Sequence, residues 1–343
     1  MRCLTLADKL RERGNECHFI CRQHEGHMID HVRSRGYEVS ALQKSDERAS
    51  FISELAHGSW LGVDWSTDAQ GTHQILGEIE LDWLIVDHYA LDYRWEQAMR
   101  PACKQMMVID DLADRLHDCD LLLDQNYGSS AERYRNLVPI NCIQCYGPHY
   151  ALLKPTYADY RTKLRARNEQ VRRVLIYFGG GTDTENLTGI AVQVFQSQKL
   201  KGIKLDVVVG EAYIHLTSLE KQLAERGNAT IHQQLPDLAN LMVKADLAIG
   251  AGGATTWERC CLGLPSIVIS IADNQLPASK ALAEDGLIQY LGHICDITHE
   301  AVNFQVAELI NKPERLNEFS RKGMKLVDGK RVNRVSHEIK IAS

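Results

Sequence analysis

The residues best placed for chemistry stand where a strand gives way to a helix. The richest stretch is ADLAIGAGGATTWERCCLGLPSIVIS, which reads as strand, glycine loop, helix, strand. Gly250, Gly252 and Gly253 let the backbone turn sharply and come close to a ligand. Ala254, Thr255 and Thr256 then offer free amide N–H groups at the start of a helix. Such a terminus holds phosphate through those donors and the helix dipole. Glu258 lies one turn later, at the right reach to accept hydrogen bonds from a ribose diol.

Other stretches repeat the pattern. In LIYFGGGTDTENLTG, Gly179, Gly180 and Gly181 come after a strand, and Asp183 and Thr184 precede a helix. They form either a tight turn with an N-cap or a second wall facing the ligand. In SIADNQLPASKAL, Asp273, Asn274 and Gln275 either cap a helix or bind sugar hydroxyls and orient a water. Asp87, His88 and Tyr89 of LIVDHYALDYRWE sit at another strand C-terminus, as do Asp110, Asp111 and Arg115 of VIDDLADR. That end of a parallel sheet is the ligand side. Structural roles stand as the alternative for each.

Several chemistries are disfavoured. The chain has no G-x-x-x-x-G-K-[ST] phosphate loop, and it lacks the G-x-G-x-x-G dinucleotide fingerprint. The nucleophile elbow G-x-S-x-G is missing as well. His27 and His31 have i, i+4 spacing but no third ligand nearby, so they read as one face of an exposed helix rather than a metal site. Cys142 and Cys145 form a C-x-x-C inside an apparent strand, not at the helix N-terminus a redox pair needs. No metal or cofactor is expected.

These residues need two sheets to hold them. The 343 residues suffice for two domains of ordinary size, and 44% hydrophobic content implies packed cores. Strands are expected at 15–22, 37–42, 82–88, 105–111 and 120–126, then at 171–178, 203–210, 229–234, 245–251 and 265–271. Helices are expected near 2–13, 26–35, 46–57, 66–80 and 92–102, and near 185–198, 213–226, 236–244, 254–262, 275–285, 299–311 and 313–327. This alternation marks parallel α/β sheets. A polar, proline-bearing stretch near 147–170 reads as the connection. The expected division is a Rossmann-like domain over 1–150, a nucleotide-binding Rossmann-like domain over 165–328, and a helix over 329–343 that packs back on the first. A ligand cleft is expected between the two halves. The net charge of −6 argues against nucleic-acid or membrane-surface partners. No apolar run reaches the roughly 20 residues of a membrane span. Charged residues interrupt the N-terminus, so the cytoplasm is the expected compartment. Oligomeric state is not encoded in any of these patterns.

MRCLTLADKL, DWLIVDHYALD, VIDDLADR, CDLLLDQN, YALLKPTY, YFGGGTD and GAGGATTWERCCLGLP…DNQ occur in that order. Together they resemble the UDP-2,4-diacetamido-2,4,6-trideoxy-β-L-altropyranose hydrolases of pseudaminic acid biosynthesis, which are related in fold to GT-B nucleotide-sugar glycosyltransferases. The resemblance covers nearly the whole chain. It implies hydrolysis of a UDP-linked diacetamido-trideoxy sugar to UDP and free sugar. It also implies that Gly252, Gly253, Ala254, Thr255 and Thr256 hold the diphosphate, with Gly180 on the facing wall. Glu258 would bind the ribose, Asn274 and Gln275 the sugar, and Tyr89 would line the acceptor side. Lys154 stands where the family tends to have arginine, which keeps the charge and loses a bidentate contact.

The family's first loop reads glycine-His-x-Met-Arg-Cys-Leu-Thr-Leu-Ala, and its histidine is the proposed general base. Met1-Arg2-Cys3-Leu4 aligns with the Met-Arg-Cys-Leu of that motif. The resemblance therefore implies that the histidine, a first strand and a glycine turn lie upstream of Met1, about two dozen residues in all. On that expectation no residue of this chain supplies the base. A positioned base contributes about 10²–10⁴-fold, so UDP would bind while hydrolysis is impaired. The alternatives are a GT-B transferase using a UDP-sugar donor and a non-catalytic nucleotide-sugar-binding fragment.

Overall fold

The computed structural model describes residues 1–44, 54–164, 167, 170–330 and 332–339. The helix expected over 46–57 lies largely outside them. The chain divides into two compact units, Met1–Leu152 with Arg331–Ser343, and Leu153–Lys330.

In chain order the first unit contains α1 (Arg2–Glu12), β1 (His18–Arg22), α2 (Ile29–Ser34), β2 (Glu38–Leu42), α3 (Trp65–Leu76), β3 (Leu81–Val86), α4 (Tyr93–Met99), β4 (Cys103–Ile109), β5 (Leu121–Asp124) and β6 (Ile143–Tyr146). The second contains α5 (Pro155–Thr162), β7 (Arg173–Tyr177), α6 (Leu187–Val194), β8 (Lys204–Val208), α7 (Leu216–Arg226), β9 (Ala229–His232), α8 (Ala239–Lys244), β10 (Leu247–Ala251), α9 (Thr255–Cys261), β11 (Ser266–Ser270), α10 (Leu276–Glu284), β12 (Gln289–His293), α11 (His299–Ile310) and α12 (Pro313–Leu326). A last helix, α13 (Val332–Glu338), belongs to the first unit.

All strand pairs are parallel. The second unit has one six-stranded sheet in the order β12-β11-β10-β7-β8-β9. Every residue of β10 and β11 is buried, because LAIGA and SIVIS are covered on both faces. Val174, Ile176, Leu205, Val207, Ile249 and Ile267 form the centre of its core. The order matters for function. The connections from β7 and from β10 leave in opposite directions, so the crevice at their C-terminal ends is the topological switch point where open α/β sheets bind ligands.

The first unit has its strands in two groups, β1-β2 and β3-β4-β5-β6. Met107, Ile109, Leu121 and Leu123 pack with Leu6 and Leu10 of α1 and with Val332, Val335 and Ile339 around α13. Trp95, Met99, Met106, Val108 and Leu122 build the other layer. The stretch near 147–170, read as a connection, carries a 3-10 turn at Pro148–Tyr150 and then α5. Pro155 opens α5 at a position where the missing N–H costs nothing.

Candidate functional site

The two glycine loops singled out by sequence meet at the switch point of the second unit. β7 pairs with β10 so that Tyr177 stands opposite Gly250, and the loops beyond them, 178–182 and 252–254, leave the same end of these neighbouring strands. The glycines there are required by close approach more than by backbone angle. A Cβ at Gly250 would lie 2.2 Å from the Tyr177 carbonyl oxygen and 2.8 Å from Nη1 of Arg259. One at Gly252 would lie 2.5 Å from Oγ of Ser279, whereas one at Gly253 meets nothing nearer than Nε2 of Gln275 at 3.8 Å. In the other loop it is Gly179, with φ of +119°, that needs glycine. Gly180 has open space, but its carbonyl would sit 2.1 Å from a Cβ on Gly210.

The donors of the 252–256 loop divide. The Ala254 and Thr255 amides have no backbone acceptor among the described residues. The reading of a free amide at Thr256 does not hold. That N–H donates to the Gly253 carbonyl at 2.9 Å, because the start of α9 is tightened into a turn. The Thr256 hydroxyl, also buried, accepts from Nη2 of Arg259 at 2.9 Å. Gln275 sits against the same loop, and its Oε1 accepts from the Ile271 amide at 3.1 Å. Asn274 is half-buried in the same 3-10 turn, Asp273–Gln275. Asp183 acts as a cap: its carboxylate accepts from the Leu187 and Thr188 amides, both at 2.9 Å.

Glu258 lies on α9 one turn past the loop, half-buried. Burial pushes its carboxyl up to about 7, against the Tyr157 hydroxyl, Arg259 and Lys154, which favour the charged form. Tyr157 and Lys154 come from α5 and its N-cap. Nζ of Lys154 donates to the Pro236 carbonyl at 2.5 Å, so the cation is held beside Glu258. The sequence reading missed Tyr157 and Arg259. Both look like ordinary helix residues until the fold buries them.

The first unit gathers its own polar group at the C-terminal ends of β3 and β4. Nη2 of Arg2 donates to Asp87 at 2.6 Å, and Cys3 Sγ lies 3.0 Å from the same carboxylate. The Tyr89 hydroxyl donates to Asp111 at 2.5 Å. Burial resists charge at both acids. Arg2 overcomes it at Asp87, whose carboxyl falls below the usual range, whereas Asp111 is pushed up. Asp110 turns inward instead, forming an ion pair with Nη1 of Arg115 at 2.9 Å and accepting a hydrogen bond from the Tyr134 hydroxyl at 3.0 Å. His88 uses Nδ1 to accept from the Ala90 amide at 3.0 Å, and burial lowers its pKa. The rings of His57, Trp60 and Tyr89 lie close together at tilted angles, with centroids 4.6–5.9 Å apart. Among the described residues no group of three His, Cys, Asp or Glu is arranged to hold a metal. No described helix is long and apolar enough to cross a membrane.

Comparison with known proteins bears on this geometry. Residues 174–332 match the glycosyltransferase family 28 C-terminal domain. The chain is 29% identical over 222 residues to the spore coat polysaccharide biosynthesis protein SpsG of Bacillus subtilis, a match covering 63% of each protein and so under two thirds of that relative's length. It is 22% identical over 277 residues to the UDP-2,4-diacetamido-2,4,6-trideoxy-beta-L-altropyranose hydrolase of Campylobacter jejuni, covering 81% of this chain and 89% of that one. Among solved structures it resembles MurG of Acinetobacter baumannii, with a TM-score of 0.66 at 15% identity over 98% of this chain and 94% of that one. The fold is GT-B glycosyltransferase-like, α/β with parallel sheets.

Proposed function

We propose that this chain binds a UDP-sugar and releases UDP by hydrolysis, acting on a UDP-linked 2,4-diacetamido-2,4,6-trideoxy sugar. The observation that carries the reading is the loop 252–255 at the switch point of the second unit, with amides at Ala254 and Thr255 that have no backbone acceptor among the described residues and a carboxylate at Glu258 one turn on. In this reading the amides receive the diphosphate and Glu258 accepts from the ribose hydroxyls. Gly252 and Gly253 admit the phosphates, Thr256 shapes the loop from behind, and Gly180 forms the facing wall. Asn274 and Gln275 contact the sugar, and Lys154 adds positive charge. Donors fixed before the reaction stabilise the charge that grows on the departing diphosphate and need no reorganisation at that moment.

Support for water as the acceptor comes from the Campylobacter hydrolase, whose similarity extends over most of both chains. Transfer to another acceptor is the second reading, favoured by the family 28 match over 174–332. The test incubates the UDP-sugar with the protein, with and without lipid-linked and soluble sugar acceptors, and tracks UDP and free sugar by chromatography. Stoichiometric UDP and free sugar without acceptor support hydrolysis. Release that depends on an acceptor supports transfer, and binding without release supports neither.

A further inference from the structure

Arg259 is the most deeply buried charge of the second unit's ligand end, at 3% exposure, and it forms no ion pair among the described residues. Its Nη2 donates to the Ala251 carbonyl at 2.7 Å and to the Thr256 hydroxyl at 2.9 Å, while Nε is buried without a partner. The other buried arginines are provided for. Arg115 pairs with Asp110 and Asp114. Arg226 spends its guanidinium on the carbonyls of Phe195, Gly227, Asn228 and Ile203. Burial lowers the pKa of Arg259 to about 10, which leaves it charged at neutral pH. Its neighbour Glu258 is a weak countercharge, because burial raises that carboxyl to about 7.

The two acceptors bracket the loop: Ala251 ends β10 and Thr256 lies in α9, with 252–255 between them. Gly250 makes the arrangement possible, since any Cβ there would meet Nη1 at 2.8 Å. Resting on the function proposed above, we infer that Arg259 is a positioning residue for a nucleoside diphosphate: its guanidinium clamps both ends of the 252–255 loop and supplies buried positive charge that the ligand's diphosphate, rather than any carboxylate of the fold, balances. A buried charge without a partner is costly, and an anion arriving across the loop offsets that cost.

The test compares UDP with uridine by calorimetric titration, uridine by displacement of UDP, on the full chain. Arg259→Met weakens UDP by about tenfold or more, while uridine affinity changes by less than about twofold. Arg259→Lys retains most of the preference for UDP, since the charge remains. Thr256→Val, which removes one clamp acceptor at nearly constant volume, shifts the UDP-to-uridine ratio in the direction of Arg259→Met and decides the matter if that variant fails to fold. A merely structural role lowers both affinities together, so an unchanged ratio in the folded variants overturns the inference. Failure of the unaltered protein to bind UDP would defeat the functional reading as well, and is distinguished by occurring before any substitution.

Discussion

Glu258 shows how one residue can be read correctly for its place and incompletely for its state. Its position one turn past a glycine loop was legible, because the helical repeat sets where the residues of the next turn stand relative to the loop. Its elevated pKa was not, since that depends on α5 and the segment before α8 closing over it. The sign of the consequence is definite. A carboxyl whose folded pKa of about 7 exceeds its ordinary 4.5 favours the neutral form. Its contribution to stability is complete below about pH 4.5 and is lost as pH rises through about 7. Gln at this position stays neutral throughout. Glu258→Gln therefore gains melting temperature relative to the unaltered protein between about pH 5 and about pH 8, measured by calorimetry in the absence of nucleotide. A difference that stays flat across that range would mean the carboxyl ionises as it does in water. Thr256 is the opposite case. Its type and position suggested a phosphate contact, but the tightened first turn of α9 and Arg259 use its amide and hydroxyl.

Among elements, legibility tracked burial. Interior strands of a parallel sheet carry apolar residues on both faces, so LAIGA and SIVIS announce themselves. The sequence reading gave β12, QYLGH, no strand, and met β6, IQCY, only as the apparent strand around Cys142 and Cys145. Both lie at the edge of their sheets and are only partly covered, so their sequences carry too little apolar pattern. β3 departs from this rule. LDWLIV is as apolar as an interior strand, yet β3 pairs only with β4 among the described residues and five of its six residues are half-buried. β10 has a neighbour on each side, β7 and β11. Backbone protection should mirror the pairing. In native-state hydrogen exchange, amides of Leu81–Val86 exchange faster on average than those of Leu247–Ala251. Equal protection in the two strands would show that the free side of β3 is covered in solution.

For the molecule as a whole, the chain path links stability to the two ends of the sequence. The first unit is discontinuous: α13, after the whole of the second unit, packs on α1 within the first. The side chains that do this are well buried, with Val335 at 0% exposure among Leu6, Leu10, Met107 and Leu121. Composition and alternation pointed to two α/β domains, and the last helix was expected to pack back on the first, but those patterns do not name the side chains that make the contact. That is settled by long-range packing of a few side chains. The two glycine loops, by contrast, belong wholly to the second unit. Stability of the first core and nucleotide affinity should therefore separate. Val335→Ala removes two methyl groups from a packed core and costs about 1–3 kcal/mol of first-unit stability. Denaturant unfolding monitored by the tryptophans, Trp60, Trp65, Trp83 and Trp95 in the first unit and Trp257 in the second, should show the first unit melting earlier. UDP affinity under native conditions should remain within about twofold, because both states of the α13 contact leave the 252–255 loop unchanged. Loss of nucleotide binding in a variant that is still folded would show instead that the α13 core and the 252–255 loop are energetically coupled.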